Sequence, residues 1–168
     1  MDSEKEALAV AELQRRWILE GWEKSPGERF VFKDKAGQFY DWASKDVALF
    51  DSFDPELRLA RSPGEWAEAF EASFNRMHSA LHAVIAEPDV LVCGDIAASA
   101  FGFCARLQRG HGMASGVLCR TSHVFTRSSG DWKIVREHTS GRTITAAEAE
   151  ELLARHKPQK LESLETGK

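Results

Sequence analysis

The sequence predicts one α+β domain, with helices first and a curved antiparallel sheet after them. Three observations carry the prediction. From Ser3 to Trp22 and again from Ser62 to Met77, apolar residues recur at three- and four-residue steps, the signature of amphipathic helices. From Ala80 to Ile144, strand-like runs are joined by links too short for anything but an antiparallel meander. The last two runs, TSHVFTRSSGDWKIVREHTS from Thr121 to Ser140, alternate β-branched, aromatic and polar residues about Ser129-Gly130, a strong hairpin signal.

Composition fits that class and removes others. A chain of 168 residues, 43% hydrophobic and 29% charged, suits a globular domain with a real core. The formal charge of −4 gives no electrostatic reason to expect nucleic acid, because phosphate binding needs a concentrated basic surface. No run approaches the roughly 20 apolar residues that cross a bilayer, and MDSEKEALAV lacks a basic stretch followed by an apolar one. The expectation is a cytoplasmic protein with no membrane partner. Cys93, Cys104 and Cys119 are odd in number, fall in strand-like segments and lack metal-type spacing, so they read as reduced core thiols. No metal and no cofactor are expected.

The elements follow in order. Ser3 and Glu6 make a capping box for a helix from about Ser3 to Trp22 whose apolar stripe is Leu8, Leu13, Trp17 and Ile18, with Gln14, Arg15 and Arg16 as polar neighbours. Lys24-Ser25-Pro26-Gly27 stops it. Glu28 to Lys33 reads as a short helix or an extended segment before a loop at Ala36-Gly37, and Asp46 to Phe53 as a short strand with Asp51 near its end. Ser62-Pro63-Gly64-Glu65 is the clearest helix start, and Trp66, Phe70, Phe74 and Met77 form the stripe behind it. Strands are expected at Ala80 to Ala86, Val90 to Cys93, Ile96 to Gln108, Met113 to Arg127 and Trp132 to Ile144, separated by Glu87-Pro88-Asp89, Gly94-Asp95 and Arg109-Gly110-His111-Gly112. Thr145 and Glu148 make a further capping box before AAEAEELLARH, and the segment beyond Pro158 is a polar tail. The division is therefore a main domain over 1–145 and a short helix with tail over 146–168.

For the terminal hairpin, a two- or four-residue loop predicts that Arg127 faces Trp132, Phe125 faces Ile134, His123 faces Arg136 and Thr121 faces His138. All of these then share one side of the sheet, apolar near the turn and chemically equipped away from it. A three-residue loop exchanges the faces of one strand.

These residues resemble the SnoaL-like group of the nuclear-transport-factor-2-like superfamily, which also holds ketosteroid isomerase, scytalone dehydratase and the association domain of calcium/calmodulin-dependent kinase II. The resemblance covers Leu8 to Ile144. It is carried by the long first helix, DVALFDSF, the glycine at Gly64 before the second helix, GDIA from Gly94, and above all the terminal hairpin with its Gly-x-Trp and His-x-Ser. It implies a cone, the cystatin-like arrangement of a bent sheet wrapped around helices, with a pocket inside for an unidentified small molecule and a homodimer through the outer sheet surface. Fold alone does not choose an activity.

The candidate chemistry is that of proton transfer. By resemblance Asp51 compares with the isomerase's general base, and its ordinary reading is a strand-end aspartate before a Ser-Phe-Asp-Pro turn. His123 and His138 suit acid and base roles in an isomerisation, cyclisation or dehydration, and Arg136 suits an enolate or a carboxylate. The ordinary reading of His138 is a core histidine tied to backbone. Trp17 stands where the isomerase has a tyrosine, so an indole replaces its phenol. Trp17, Trp42, Thr121 and Arg136 are the ligand-binding candidates. His78 and His82 are four apart across a helix-to-strand change, which argues against a metal pair. The rival to an enzyme is a non-catalytic ligand-binding or assembly module, favoured if aromatic rings fill the space in which Asp51 and His138 should meet.

Overall fold

The computed structural model describes residues 3–110, 112–127 and 130–157. Helix α1 (Ser3–Arg16) runs into a π-helical turn at Trp17–Gly21, β1 is Ala48–Asp51 and α2 is Pro63–Arg76. The long strands β2 (Ser79–Cys93), β3 (Ile96–Arg109), β4 (Met113–Thr126) and β5 (Lys133–Ile144) follow, and α3 (Ala146–His156) ends the described chain. The sheet order is β1-β5-β4-β3-β2, with β1 parallel to β5 and every other pair antiparallel. The expected α+β cone is present as a curved, unclosed sheet, mixed rather than wholly antiparallel because of β1. The loop residue His111, the hairpin serines Ser128 and Ser129, and the tail from Pro158 lie outside the described residues.

Helix α1 is buried through Val10, Ala11 and Gln14, and the π turn continues that face with Trp17 and Ile18. Leu8, expected on the stripe, is 66% exposed. Glu6 ties the helix to the hairpin instead of serving the expected cap: its Oε2 accepts the Trp132 indole N–H at 2.8 Å and its Oε1 pairs with Arg127 at 2.9 Å. Helix α2 starts as expected, the Ser62 hydroxyl accepting the Glu65 N–H with Pro63 in the first turn. Trp66 and Phe74 of its stripe are buried, and Phe70 and Met77 pack against the same core. The Thr145–Glu148 capping box forms in full at the start of α3, which packs Leu153 against Ala83 and Cys104.

Two expectations about strands need correction. Glu87-Pro88-Asp89 does not separate two strands: β2 runs through it, and the pairing with β3 skips from Ala86 to Asp89. A bulge lets the strand keep going past a proline that has no N–H for the ladder. The second bulge decides the site. In the terminal hairpin Phe125 faces Ile134 as expected, but the register then shifts, so that Val124 faces Arg136, His123 faces Glu137 and Thr121 faces Thr139. One extra residue, Val135, is taken up between them, and both Ile134 and Val135 are buried. The shift moves Arg136 and His138 to the outer side, where both are exposed.

Candidate functional site

The inner face beyond that bulge carries a string of buried polar groups. Strand β4 contributes His123 and Thr121, and β5 contributes Glu137 and Thr139 directly opposite them. In the parallel pair, Leu49 lies beside Glu137 and Asp51 beside Thr139, so Asp51 shares this side of the sheet. On the other flank Ser99 pairs with His123, and Phe101 with Thr121. From the helical layer come Gln14 of α1, Trp17 of the π turn, and Tyr40, whose backbone bridges to Ile134 just beyond β1's place along β5.

Trp17, Tyr40, Glu137, Thr139 and Thr121 form one hydrogen-bonded network. The Trp17 indole donates to the Tyr40 hydroxyl at 2.9 Å, and that hydroxyl donates to Glu137 Oε2 at 2.6 Å. The Thr139 hydroxyl donates to Glu137 Oε1 at 3.3 Å and meets the Thr121 hydroxyl at 2.8 Å. The Gln14 amide donates to His123 Nδ1 at 3.2 Å, which leaves the proton of a neutral ring on Nε2, 3.4 Å from Glu137 Oε2. Burial first, and the neighbouring Glu137 charge second, push the Tyr40 phenol well above its ordinary range, so it acts as a fixed donor. Asp51 sits at the edge of the string, accepting the Phe53 N–H at 2.7 Å. Burial pushes its carboxyl up to about 7, the charges of Glu137 and Asp54 add to the rise, and the Phe53 hydrogen bond opposes it.

Three polar atoms in this region have no hydrogen-bond partner: Gln14 Oε1, Ser99 Oγ and His123 Nε2. They belong to residues that adjoin one another through the Gln14–His123 bond and the Ser99–His123 pairing. Buried polar groups are ordinarily satisfied, so a cluster of orphans marks a place for a polar guest. The apolar surroundings are tight: the Trp17 ring centre is 4.5 Å from that of His123, Phe125 is 5.5 Å away and Phe101 6.5 Å.

The structure thus brings together Asp51, His123, Thr121 and Trp17 from the sequence candidates and separates the other three. His138 meets Phe50 edge-on on the outer side, with ring centres 4.9 Å apart, and Arg136 shares that side. Trp42 lies at the surface, 46% exposed, beside a hollow of about 350 Å3. A second hollow, lined by Arg120, Ser140 and Arg142 among others, is on the outer side of β4 and β5. The expected meeting of Asp51 with His138 does not occur, and aromatic rings close around His123.

Sequence reasoning missed Glu137, Tyr40, Gln14, Ser99 and Thr139. Gln14 was within reach, since it stands four residues from both Val10 and Ile18 and so falls on the buried stripe. The adjacent apolar pair Ile134-Val135 was the one local trace of the bulge that turns Glu137 inward. The thiols also divide: Cys104 and Cys119 are buried as expected, and Cys93 is exposed. The expected helix-to-strand change does fall at His78, between α2 and β2, and His82 is buried in β2.

An unclosed sheet wrapped over a helix, with a polar string on its inner side, defines a protein of the nuclear-transport-factor-2-like kind. Residues 32–145 match the SnoaL-like domain family, and the chain belongs to that family. No curated protein matches the chain. Solved structures share the fold. A nuclear-transport-factor-2-like superfamily protein from Salmonella enterica serovar Typhimurium is 19% identical, with 80% of this chain and 92% of that one covered at a TM-score of 0.59. The association domain of the C. elegans calcium/calmodulin-dependent kinase II is 14% identical, covering 82% and 97% at 0.57. A hexachlorocyclohexane dehydrochlorinase, LinA type 2, is 9% identical, covering 84% and 88% at 0.59. At such identities the likeness concerns the fold. Among the described residues, no helix is long and apolar enough to cross a membrane, and no cluster of three or more His, Cys, Asp or Glu could hold a metal ion.

Proposed function

We propose that this chain is a small-molecule-binding protein of the SnoaL-like family, and that the inner face of its sheet receives the polar head group of an apolar organic ligand. The observation that carries the reading is the cluster of unpartnered polar atoms on Gln14, Ser99 and His123, set among the rings of Trp17, Phe101 and Phe125. A carbonyl or hydroxyl oxygen offers what the cluster lacks: an acceptor for His123 Nε2–H, and in the case of a hydroxyl a donor for Gln14 Oε1. Thr121, Thr139 and Glu137 form the polar floor beside it.

A second reading adds turnover, and Asp51 favours it. A carboxyl held near neutrality on the same side as Glu137 and His123 is equipped to move a proton next to a carbonyl. In that reading Asp51 takes the proton, and His123 Nε2–H steadies the negative charge that develops on oxygen. Arg136 and His138, on the outer side, have no part in it.

The test uses 1-tetralone, an apolar bicyclic ketone, and native mass spectrometry of the gently purified chain. Binding predicts a copurified small molecule or a saturable shift of the His123 imidazole NMR signals on adding the ketone, lost in Gln14→Leu. A chain that carries nothing and whose His123 signals stay fixed at millimolar ketone overturns the proposal. Exchange of the ketone's α-protons for deuterium in D2O, abolished by Asp51→Asn, selects the second reading.

A further inference from the structure

We propose that the surface hollow beside Trp42 is a second binding site, one that takes a flat aromatic ligand carrying a negative charge. It opens on the protein surface, its wall shares Tyr40 with the inner polar string, and its lysines and exposed indole take no part in the function proposed there. The hollow, of about 350 Å3, is lined by Lys33, Gly37, Gln38, Trp42 and Lys133, among others.

The case begins with the indole. Trp42 is 46% exposed, yet its ring is not free to turn. The indole N–H donates to the Gly37 carbonyl at 2.8 Å, and Phe32 packs behind it with ring centres 6.4 Å apart. A side chain at Gly37 would start 3.0 Å from the Trp42 ring, so the glycine lets the indole lie close against the turn at Gly37–Phe39. A large apolar ring held by its N–H and still nearly half exposed has already lost much of the rotamer entropy that binding normally costs, which makes it a stacking platform.

Of the three charged residues that line the hollow, two are lysines and the third, Asp41, is buried. The Lys33 ammonium stands 5.6 Å from the centre of the indole ring, and Lys133 Nζ is held in place by the Gln38 carbonyl at 2.7 Å. Among the described residues, neither lysine is in an ion pair with a carboxylate. Asp41 also borders the hollow, but it is buried, and its Oδ1 accepts the N–H groups of Ala43 and Ser44, both at 2.9 Å. Two positioned ammonium groups beside an open indole, in a protein of formal charge −4, are complementary to an aryl carboxylate or a similar anion.

The probe is 1-naphthoate, with neutral 1-acetonaphthone as its uncharged counterpart, followed through the Trp42 indole N–H signal in 15N–1H NMR spectra. The expected result is a saturable shift of that signal by naphthoate, with binding weakened by added salt. The neutral ketone and the Lys33→Gln/Lys133→Gln protein should each bind at least about fivefold more weakly, and Trp42→Ala, followed through the Gly37 backbone N–H because the indole signal is gone, should abolish the response. Because the lysine variants alter one exposed and one half-buried surface side chain and no core residue, they keep the test decisive if Trp42→Ala fails to fold. Equal binding of naphthoate and the neutral ketone overturns the proposal, as does a response confined to His123, which would place the probe inside the cone. A dimer in light scattering that becomes a monomer in Trp42→Ala also overturns it, because the indole would then belong to an interface with a second copy.

Discussion

Replacing Tyr40 with phenylalanine tests whether the buried polar string holds the cone together. The hydroxyl is the only atom lost, so no cavity of consequence opens and the effect is one of hydrogen bonding. The hydroxyl serves two buried partners at once, Glu137 Oε2 at 2.6 Å as a donor and the Trp17 indole N–H at 2.9 Å as an acceptor. A bond to a charged group contributes about 1.5–3 kcal/mol, and leaving a buried neutral donor unsatisfied costs about 1–3 kcal/mol. Glu137 keeps the Thr139 hydroxyl, which softens the first loss. The expected destabilisation is therefore about 3 kcal/mol, or about 6–12 °C in Tm for a chain of this size. Urea unfolding followed by tryptophan fluorescence measures it as a lower midpoint with unchanged slope. A double-mutant cycle with Trp17→Phe should show the two changes to be strongly non-additive, since either one removes the same indole–phenol bond. If Tyr40→Phe unfolds within about 0.5 kcal/mol of the parent, the network does not hold the fold and the reasoning fails.

Other perturbations read different parts of the structure. Burial raises the Asp51 carboxyl to about 7 in the folded chain from an ordinary 3.8, so the folded chain binds more protons in that window and stability should fall as pH rises through it. Asp51→Asn keeps an acceptor for the Phe53 N–H, so its melting temperature should match the parent near pH 4 and exceed it by several degrees at pH 8; a constant difference across that range contradicts the burial of the carboxyl. His82 is shifted the other way, with burial first and then Lys157 and Lys35 holding it down to about 3 from 6.5, so its contribution is lost as pH falls from 6.5 towards 3. His82→Leu should remove that part of the acid sensitivity, seen as a flatter melting profile between pH 6.5 and 4, and an unchanged profile refutes it. At Gly141 a Cβ would lie 2.3 Å from the Leu118 carbonyl, which cannot move without breaking the sheet, whereas at Gly102 it would meet the flexible Arg120 guanidinium, with the nearest atom at 1.7 Å. Gly141→Ala should accordingly cost about 3 kcal/mol or more and Gly102→Ala clearly less in chemical denaturation; the reverse order would be inconsistent with these close approaches.

Most elements were legible because their signals are local. Ser62-Pro63 and Thr145 start helices through groups that satisfy nearby N–H donors, and these contacts involve residues three apart. The hairpin about Gly130 and the meander of long strands follow in the same way from alternation and short links. The candidate site was legible only in part. His123, Thr121 and Trp17 are buried on the inner side and Asp51 is half-buried at its edge, whereas Arg136 and His138 lie on the outer side.

The difference has a single cause. A strand's faces alternate with period two, so the identity of the inward residues hangs on every residue between them being paired, and one bulged residue at Val135 reverses all that follow. The chain by itself determined that an α+β cone would form and that polar groups would line the terminal hairpin. Only the tertiary structure decided that Glu137 rather than Arg136 stands opposite His123, and that Tyr40 and Gln14 come from distant segments to meet them. Burying a carboxylate requires partners from elsewhere in the chain, and those partners are visible only once the sheet has closed over the helix.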